Sequence, residues 1–212
     1  MSRGALVACG IVAAVVVLAE DADAQITNRL ALGANFNTAI AAAPDNTSAS
    51  HVGFQWRLGH SEGGWGWRFG FNWYSTDIGA RVVDSPVELG ELHVRPIMIG
   101  YGYTHKVRRV AMSANLLAGY AFNKFSLGDR ASAVYRVATG NQPVSSGAQN
   151  TVVVFPELSM WRDINRRVGL NVSVGYMFAR PEVSVETTGG TYHHSVRADT
   201  VRIKVGAVYS IF

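Results

Sequence analysis

The sequence has a single cysteine, Cys9, only six prolines, and no apolar run of membrane-helix length after its first 24 residues. Without another cysteine the chain needs no oxidative pairing, which suits export into a periplasm. A membrane-spanning helix needs about 20 apolar residues, so a chain without such a run can cross a bilayer only with strands. Apolar residues with the 3.6-residue spacing of an amphipathic helix are also missing at useful length, so we expect little helix.

The first 24 residues have the pattern of a secretory signal peptide. Arg3 supplies a positive start, residues 5–19 are apolar, and Ala22-Asp23-Ala24 offers a cleavage site before Gln25. We therefore expect residues 1–24 to be removed and residues 25–212 to form one domain.

Eight segments of the remaining chain alternate apolar and polar residues with a period of two, which is typical of β-strands. They cover residues 30–36, 52–58, 65–73, 91–103, 110–123, 151–162, 168–178 and 199–212. Segment 65–73 is the clearest, with Trp or Phe at every second position. In segment 91–103 the apolar set changes parity, so we expect a β-bulge near Pro96. Segment 151–162 is ambiguous because Pro156 interrupts an apolar run.

The connections between these segments alternate between long and short. Residues 38–50, 75–90, 124–150 and 180–198 are predicted to be long loops, and residues 59–64, 105–109 and 163–166 short turns. This asymmetry is typical of outer-membrane barrels, in which an even strand number returns both ends of the chain to one side.

Alternation also fits a soluble barrel of the lipocalin type, whose apolar residues point inward. Two features favour a membrane barrel: aromatic residues of the apolar face lie near the strand ends, and the other face is rich in Gly, Ser, Asn and Arg. We predict an all-β fold, an eight-stranded antiparallel transmembrane up-and-down β-barrel.

If the apolar set of each strand faces the lipid, the alternate positions face the lumen. Six charged residues occupy such positions: Arg57, Arg68, Arg95, Glu157, Arg202 and Lys204. Buried charges need partners, so we expect Glu157 to pair with one or two of the cations. The set is either a structural plug or the lining of a small anion-preferring channel.

The last strand carries a more specific signal: Lys204, Gly206, Tyr209, Ile211 and Phe212. It resembles the C-terminal signal of bacterial outer-membrane β-barrels, with the terminal Phe one position later than usual. The chain is similar to the small barrels of the OmpA-, OmpX- and OmpW-like kind. The resemblance implies outer-membrane localisation with both termini periplasmic, delivery through the barrel assembly machinery, and contact with outer-membrane lipid and lipopolysaccharide.

One motif raises the possibility of catalysis. His193-x-Ser195 resembles the His-x-Ser of lipid A deacylase barrels, in which the acid follows the serine. Only Asp199 follows here, whereas Glu182 and Glu186 precede, and the motif lies in a predicted loop. We expect an exposed polar loop and no catalytic residue.

The function expected from the sequence is structural or surface-binding, through extracellular loops and without catalysis. The alternatives are a narrow channel or transporter for small solutes and a lipid-modifying enzyme. No cofactor or metal site is predicted, and we expect a monomer. The basic turn at Lys106, Arg108 and Arg109 suits anionic headgroups better than nucleic acid.

Overall fold

A computed structural model describes residues 30–42, 46, 48–58, 63–71, 73–82, 85–165 and 167–210. The predicted signal peptide and the last two residues of the assembly signal, Ile211 and Phe212, lie outside these ranges. The elements in chain order are β1 (Leu30–Ala41), β2 (Ala49–Leu58), β3 (Gly64–Phe71), β4 (Tyr74–Val82), β5 (Ser85–Val107), β6 (Val110–Leu127), α1 (Asp129–Thr139), β7 (Pro143–Ala148), β8 (Thr151–Asp163), β9 (Val168–Ala179), β10 (Glu182–Thr187), β11 (Gly190–Ser195) and β12 (Thr200–Ser210).

The eight predicted strands lie in one antiparallel sheet in the order β2-β1-β12-β9-β8-β6-β5-β3, and β4 joins this sheet as a ninth strand by pairing with β5. The first and last of them pair along their whole length, from Ala31 opposite Ser210 to Ala41 opposite Thr200. Pairing of the first strand with the last is what an up-and-down barrel requires. The prediction of an eight-stranded antiparallel barrel is confirmed.

The apolar face of the barrel points outward. On β3 and just beyond it Trp65, Trp67, Phe69, Phe71 and Trp73 are each 58–69% exposed. A soluble protein rarely exposes so large a contiguous apolar surface, whereas a transmembrane barrel requires one. The sequence pattern is therefore that of a membrane barrel rather than a soluble one.

Exposed aromatic residues gather at both ends of this apolar band. At the barrel end that carries the short turns, Trp65 stacks on Tyr101 with ring centroids 5.6 Å apart. At the opposite end Tyr120 meets Phe122 at 5.6 Å and Tyr176 meets Phe178 at 4.6 Å. Amphipathic rings at two levels match the two headgroup regions of a bilayer.

The predicted bulge near Pro96 is wrong. The β5–β6 ladder runs without a shift from Gly90 opposite Leu127 to Val107 opposite Val110. The irregularity lies instead in the β4–β5 ladder, between Ile78 and Gly79, beside Gly90, which has a φ of 146°. A side chain would be strained at that angle, so glycine allows the bulge there.

The prediction that Arg95 faces the lumen is therefore also wrong. With an unbroken register Leu92 and Val94 point inward and are fully buried, while Arg95 lies on the outer face and is exposed. It is opposite Phe122, at the edge of the apolar band, where a long cationic side chain can reach the headgroups.

Three of the predicted long loops contain regular structure. Residues 75–82 belong to β4 and residues 85–90 to the start of β5, residues 124–150 contain α1 and β7, and residues 180–198 contain the β10–β11 hairpin. β7, β10 and β11 form a second antiparallel sheet. We call α1, β7, β10 and β11 the cap, and the barrel end that carries it the cap end.

The helix was missed because its apolar signal is short. Among the described side chains of α1, Ala131, Val134 and Tyr135 turn toward the interior, at the i, i+3 and i+4 positions of one face. The helix starts after Gly128 and ends at Gly140, which has the left-handed conformation favoured at helix ends. Among the described residues no helix is long and apolar enough to cross a membrane.

Candidate functional site

The barrel interior divides into two layers of different polarity. Beneath the cap lies an apolar layer whose side chains are at most 3% exposed: Ile78, Leu89, Leu92, Val94, Phe125, Val153, Phe155 and Met177. From the cap, Tyr135, Val183 and Val185 belong to the same buried cluster. The lumen of an outer-membrane barrel is normally polar, so this layer distinguishes the chain from a water-filled porin.

The position of the apolar layer explains the change of parity in β5. The part of β5 that contributes to this layer lies beyond the outer apolar band. Its outward-facing residues Glu91 and Arg95 are exposed and polar. Here the apolar side chains turn inward, as in a soluble protein, whereas further along β5 they turn outward. A single unbroken strand thus carries two apolar sets of opposite parity.

Toward the turn end lies a polar layer: Arg68, Thr104, Ser113, Asn115, Glu157, Ser173 and Lys204. Lys204 Nζ forms an ion pair with Glu157 Oε2 at 2.8 Å, and Ser173 Oγ donates to the same oxygen at 3.3 Å. Asn115 Nδ2 donates to Glu157 Oε1 at 3.5 Å. The carboxylate therefore has three partners, as an enclosed charge requires.

Arg68 joins this network through Asn115. Its Nε donates to Asn115 Oδ1 at 3.2 Å, and one Nη donates to Thr104 Oγ1 at 2.6 Å. Thr104 in turn shares a hydrogen bond of 2.9 Å with Ser113. Hydrogen bonds thus run across the interior from β3 to β12.

Arg202 differs from its neighbours. It is 1% exposed, and none of its three guanidinium nitrogens has a hydrogen-bond partner within the described part of the chain. The guanidinium carbon lies 5.0 Å from the centre of the Tyr74 ring, which gives a cation–π contact. In register Arg202 is opposite Ala39 and Gly175, two small residues.

The other predicted lumen residues are placed as follows. Glu157, Arg68, Arg202 and Lys204 lie on the inner face, with Lys204 as the ionic partner of Glu157. The side chain of Arg57 lies outside the described residues. Sequence reasoning missed Tyr74, because it follows Trp73 directly and interrupts the alternation that marked the preceding strand.

Comparison with solved structures gives the same architecture. The outer membrane protein OprG from Pseudomonas aeruginosa aligns with a TM-score of 0.70 at 14% identity, covering 89% of this chain and 98% of that one. The outer membrane protein AlkL, determined in lipid bilayers, aligns with a TM-score of 0.57 at 12% identity, covering 90% and 93%. This chain has the fold of a small outer-membrane β-barrel. No family model and no curated protein matches the sequence.

The His193-x-Ser195 motif lies on β11, in the cap. His193 Nδ1 is 2.6 Å from Glu182 Oε1, and both side chains are about half exposed. Ser195 lies opposite Glu182 in the β10–β11 ladder, but among the described contacts its hydroxyl has no hydrogen bond to His193. Asp199, the acid expected from the resemblance, instead accepts from Arg197 Nε at 2.8 Å and from the Ala179 amide at 2.9 Å.

Two further sequence features can be placed. Gly206 is buried, and Tyr209 is exposed on the outer surface, where Arg167 donates to its hydroxyl at 3.0 Å. In the described ranges no group of three or more His, Cys, Asp or Glu side chains is arranged to hold a metal ion.

The contact between α1 and β11 should depend on pH. Tyr135 Oη lies 2.6 Å from His194 Nε2, and the Tyr135 and Tyr192 rings are 5.6 Å apart. Burial, and then the neighbouring His193, lower the pKa of His194. His194 therefore binds a proton less readily in the folded cap than in the unfolded chain. Its contribution to the stability of the cap is fully present above the ordinary histidine pKa of about 6.5 and is lost as the pH falls below that value.

We therefore expect backbone hydrogen exchange in residues 129–139, corrected for its intrinsic pH dependence, to become faster between about pH 7 and about pH 5. His194→Gln should remove this pH dependence. His193→Gln should retain most of it, because burial is the larger cause of the lowered pKa of His194 and because His193 itself contacts Glu182 instead of α1. An unchanged pH profile in His194→Gln would contradict the assignment.

Proposed function

We propose that the protein is an outer-membrane barrel that admits small apolar molecules beneath an extracellular cap, without catalysis. The observation that carries the proposal is the apolar layer inside the cap end. Long connections are extracellular in barrels of this type, which would place the cap outside the cell. The layer would receive a solute by the hydrophobic effect, at about 25 cal/mol for each Å² of apolar surface removed from water.

The same geometry argues against conduction of small inorganic ions. Such an ion entering the apolar layer would lose its hydration without gaining a polar ligand from that layer, and it has no apolar surface of its own to bury in exchange. Below it the Glu157–Lys204 pair and its hydrogen-bonded neighbours occupy the interior. We therefore expect negligible single-channel conductance, and we favour passage of an apolar solute over the anion-channel interpretation of the lumen cations.

A second candidate is a structural barrel whose interior is only a packed core. It is favoured by the packing of the apolar layer, in which Ile78, Leu89, Leu92 and Val94 have no exposed surface. Entry of a solute would then require these side chains or the cap to move. The two candidates differ in whether the barrel increases uptake.

The test compares cells that produce the protein with cells that do not, using naphthalene as the apolar probe. The proposal predicts several-fold faster uptake with the protein, together with no conductance in planar bilayers. Ala121→Phe should reduce this uptake, because Ala121 is fully buried in the interior cluster. Ala118→Phe, three residues earlier on the same strand and exposed, should not.

Uptake that does not depend on the protein would favour the structural barrel. Both phenylalanine variants must first show the faster gel migration of an unboiled, folded barrel. Extra volume in a packed interior is itself destabilising, so this check separates blocked entry from failed folding.

A further inference from the structure

We infer that Arg202 recognises a carboxylate, so that the preferred solute is an amphipathic monocarboxylate: a small apolar body with one anionic group. The inference rests on the proposed uptake function and specifies its substrate class. It starts from the contrast between two cations two residues apart on the inner face of β12. Lys204 is paired with Glu157 at 2.8 Å, whereas the Arg202 guanidinium has no hydrogen-bond partner in the described chain.

The nearby acids are already engaged. Glu157 accepts from Lys204, Asn115 and Ser173. Asp199, also buried, accepts from Arg197 and from the Ala179 amide. A buried guanidinium presents five N–H donors, and leaving them without acceptors is costly. An incoming carboxylate would supply two acceptor oxygens in the geometry that a guanidinium binds best.

The aromatic contact leaves the donors free. Tyr74 covers Arg202 at 5.0 Å, and its own hydroxyl donates to the Ala198 carbonyl at 3.1 Å. A ring in this position stabilises the positive charge through its π face without using an N–H group. The side chain is therefore held in the interior while its hydrogen-bonding capacity remains available.

The residues around Arg202 indicate that the part of the ligand beyond its carboxylate is apolar. Thr200, two residues toward the cap on β12, is opposite Met177 of the apolar layer. Gly175, the β9 partner of Arg202, adjoins Phe155: a Cβ atom at this glycine would lie 2.6 Å from the Phe155 ring. Arg202 thus lies at the base of the apolar layer. A carboxylate bound there would extend its apolar body toward Met177 and Phe155, and a second charge on that body would be unfavourable.

The test measures binding to the full-length mature protein in nanodiscs, with octanoate as the probe. Octanamide has the same chain without the charge, octylamine reverses the charge, and acetate has the carboxylate without the chain. Octanoate should bind about tenfold or more tightly than octanamide, because charged hydrogen bonds replace neutral ones. Octylamine and acetate should bind weakly. Equal binding of acetate and octanoate would indicate a simple anion site and overturn the inference.

Variants at Arg202 provide a signature that a merely structural role would not give. Arg202→Met should abolish the preference for octanoate over octanamide and raise the temperature at which the unliganded barrel unfolds, since it removes a buried charge without hydrogen bonds. Arg202→Lys should retain only part of the preference, because an ammonium group cannot bind bidentately. Arg95→Met, the same change on the outer face, should alter neither property.

The inference and the proposed function can fail separately. If naphthalene uptake depends on the protein but octanoate and octanamide bind equally, the carboxylate assignment is wrong and the apolar route stands. If naphthalene uptake does not depend on the protein, the uptake proposal itself fails. An Arg202→Met variant that keeps the preference for octanoate would also overturn the inference.

Discussion

Replacing Glu157 with glutamine is expected to reduce the free energy of unfolding by about 3 kcal/mol, as for other broken ion pairs in protein interiors. The carboxylate is the acceptor for Lys204 at 2.8 Å, and the two side chains are 12% and 23% exposed. The neutral amide would leave the ammonium group of Lys204 enclosed without a counter-charge. Urea unfolding of the barrel in phospholipid vesicles would measure the loss.

The double variant Glu157→Gln with Lys204→Met tests the cause. Removing both charges should restore most of the lost stability, since the cost comes from the unpaired charge rather than from a missing contact. The exposed pair of Glu182 and His193 provides the control, because Glu182→Gln should cost only about 0–1 kcal/mol. Equal losses for Glu157→Gln and Glu182→Gln would show that the interior is open to water.

The second large effect is expected on the outer surface. Val174 lies in the middle of β9, is 45% exposed, and has the apolar partners Leu158 and Ile203 on either side. Val174→Arg would place a charge in the hydrocarbon region, and it should reduce the free energy of unfolding in vesicles by about 2–4 kcal/mol. Fluorescence-detected urea titration of both proteins would give the difference.

The matched control is Val144→Arg in β7 of the cap, where the valine is 70% exposed and lies outside the barrel strands. A surface substitution of this kind should change stability by no more than about 0.5 kcal/mol. Equal penalties at Val144 and Val174 would mean that the outer band of the barrel does not face lipid.

The barrel strands could be predicted because a period of two needs no tertiary information. Segment 65–73 alternates aromatic residues with small or polar ones, and in the fold its aromatic set is the exposed one. The cap could not be predicted in this way. The strands β7, β10 and β11 have only six residues each, and α1 presents a single short apolar face. Such short elements depend on packing against one another and on the barrel end rather than on local pattern.

The candidate site was only partly accessible from the sequence. Its inward cations could be predicted from parity in β3 and β12, but the same reasoning failed at Arg95, where two apolar sets in β5 suggested a bulge. The sequence could not indicate which cation Glu157 would choose or that Tyr74 would cover Arg202. These contacts join strands that are far apart in the chain.

The sequence by itself determined the all-β class, the eight long strands of the barrel and the outward direction of the aromatic band, because each follows from local alternation and the lengths of the connections. Only the tertiary structure decided that the interior changes from polar to apolar toward the cap. The physical reason is that the favourable face of a strand depends on its surroundings: within the outer band the apolar side chains face outward, and beyond it they are buried inside. One strand such as β5 therefore carries both patterns, and only its neighbours determine where one ends and the other begins.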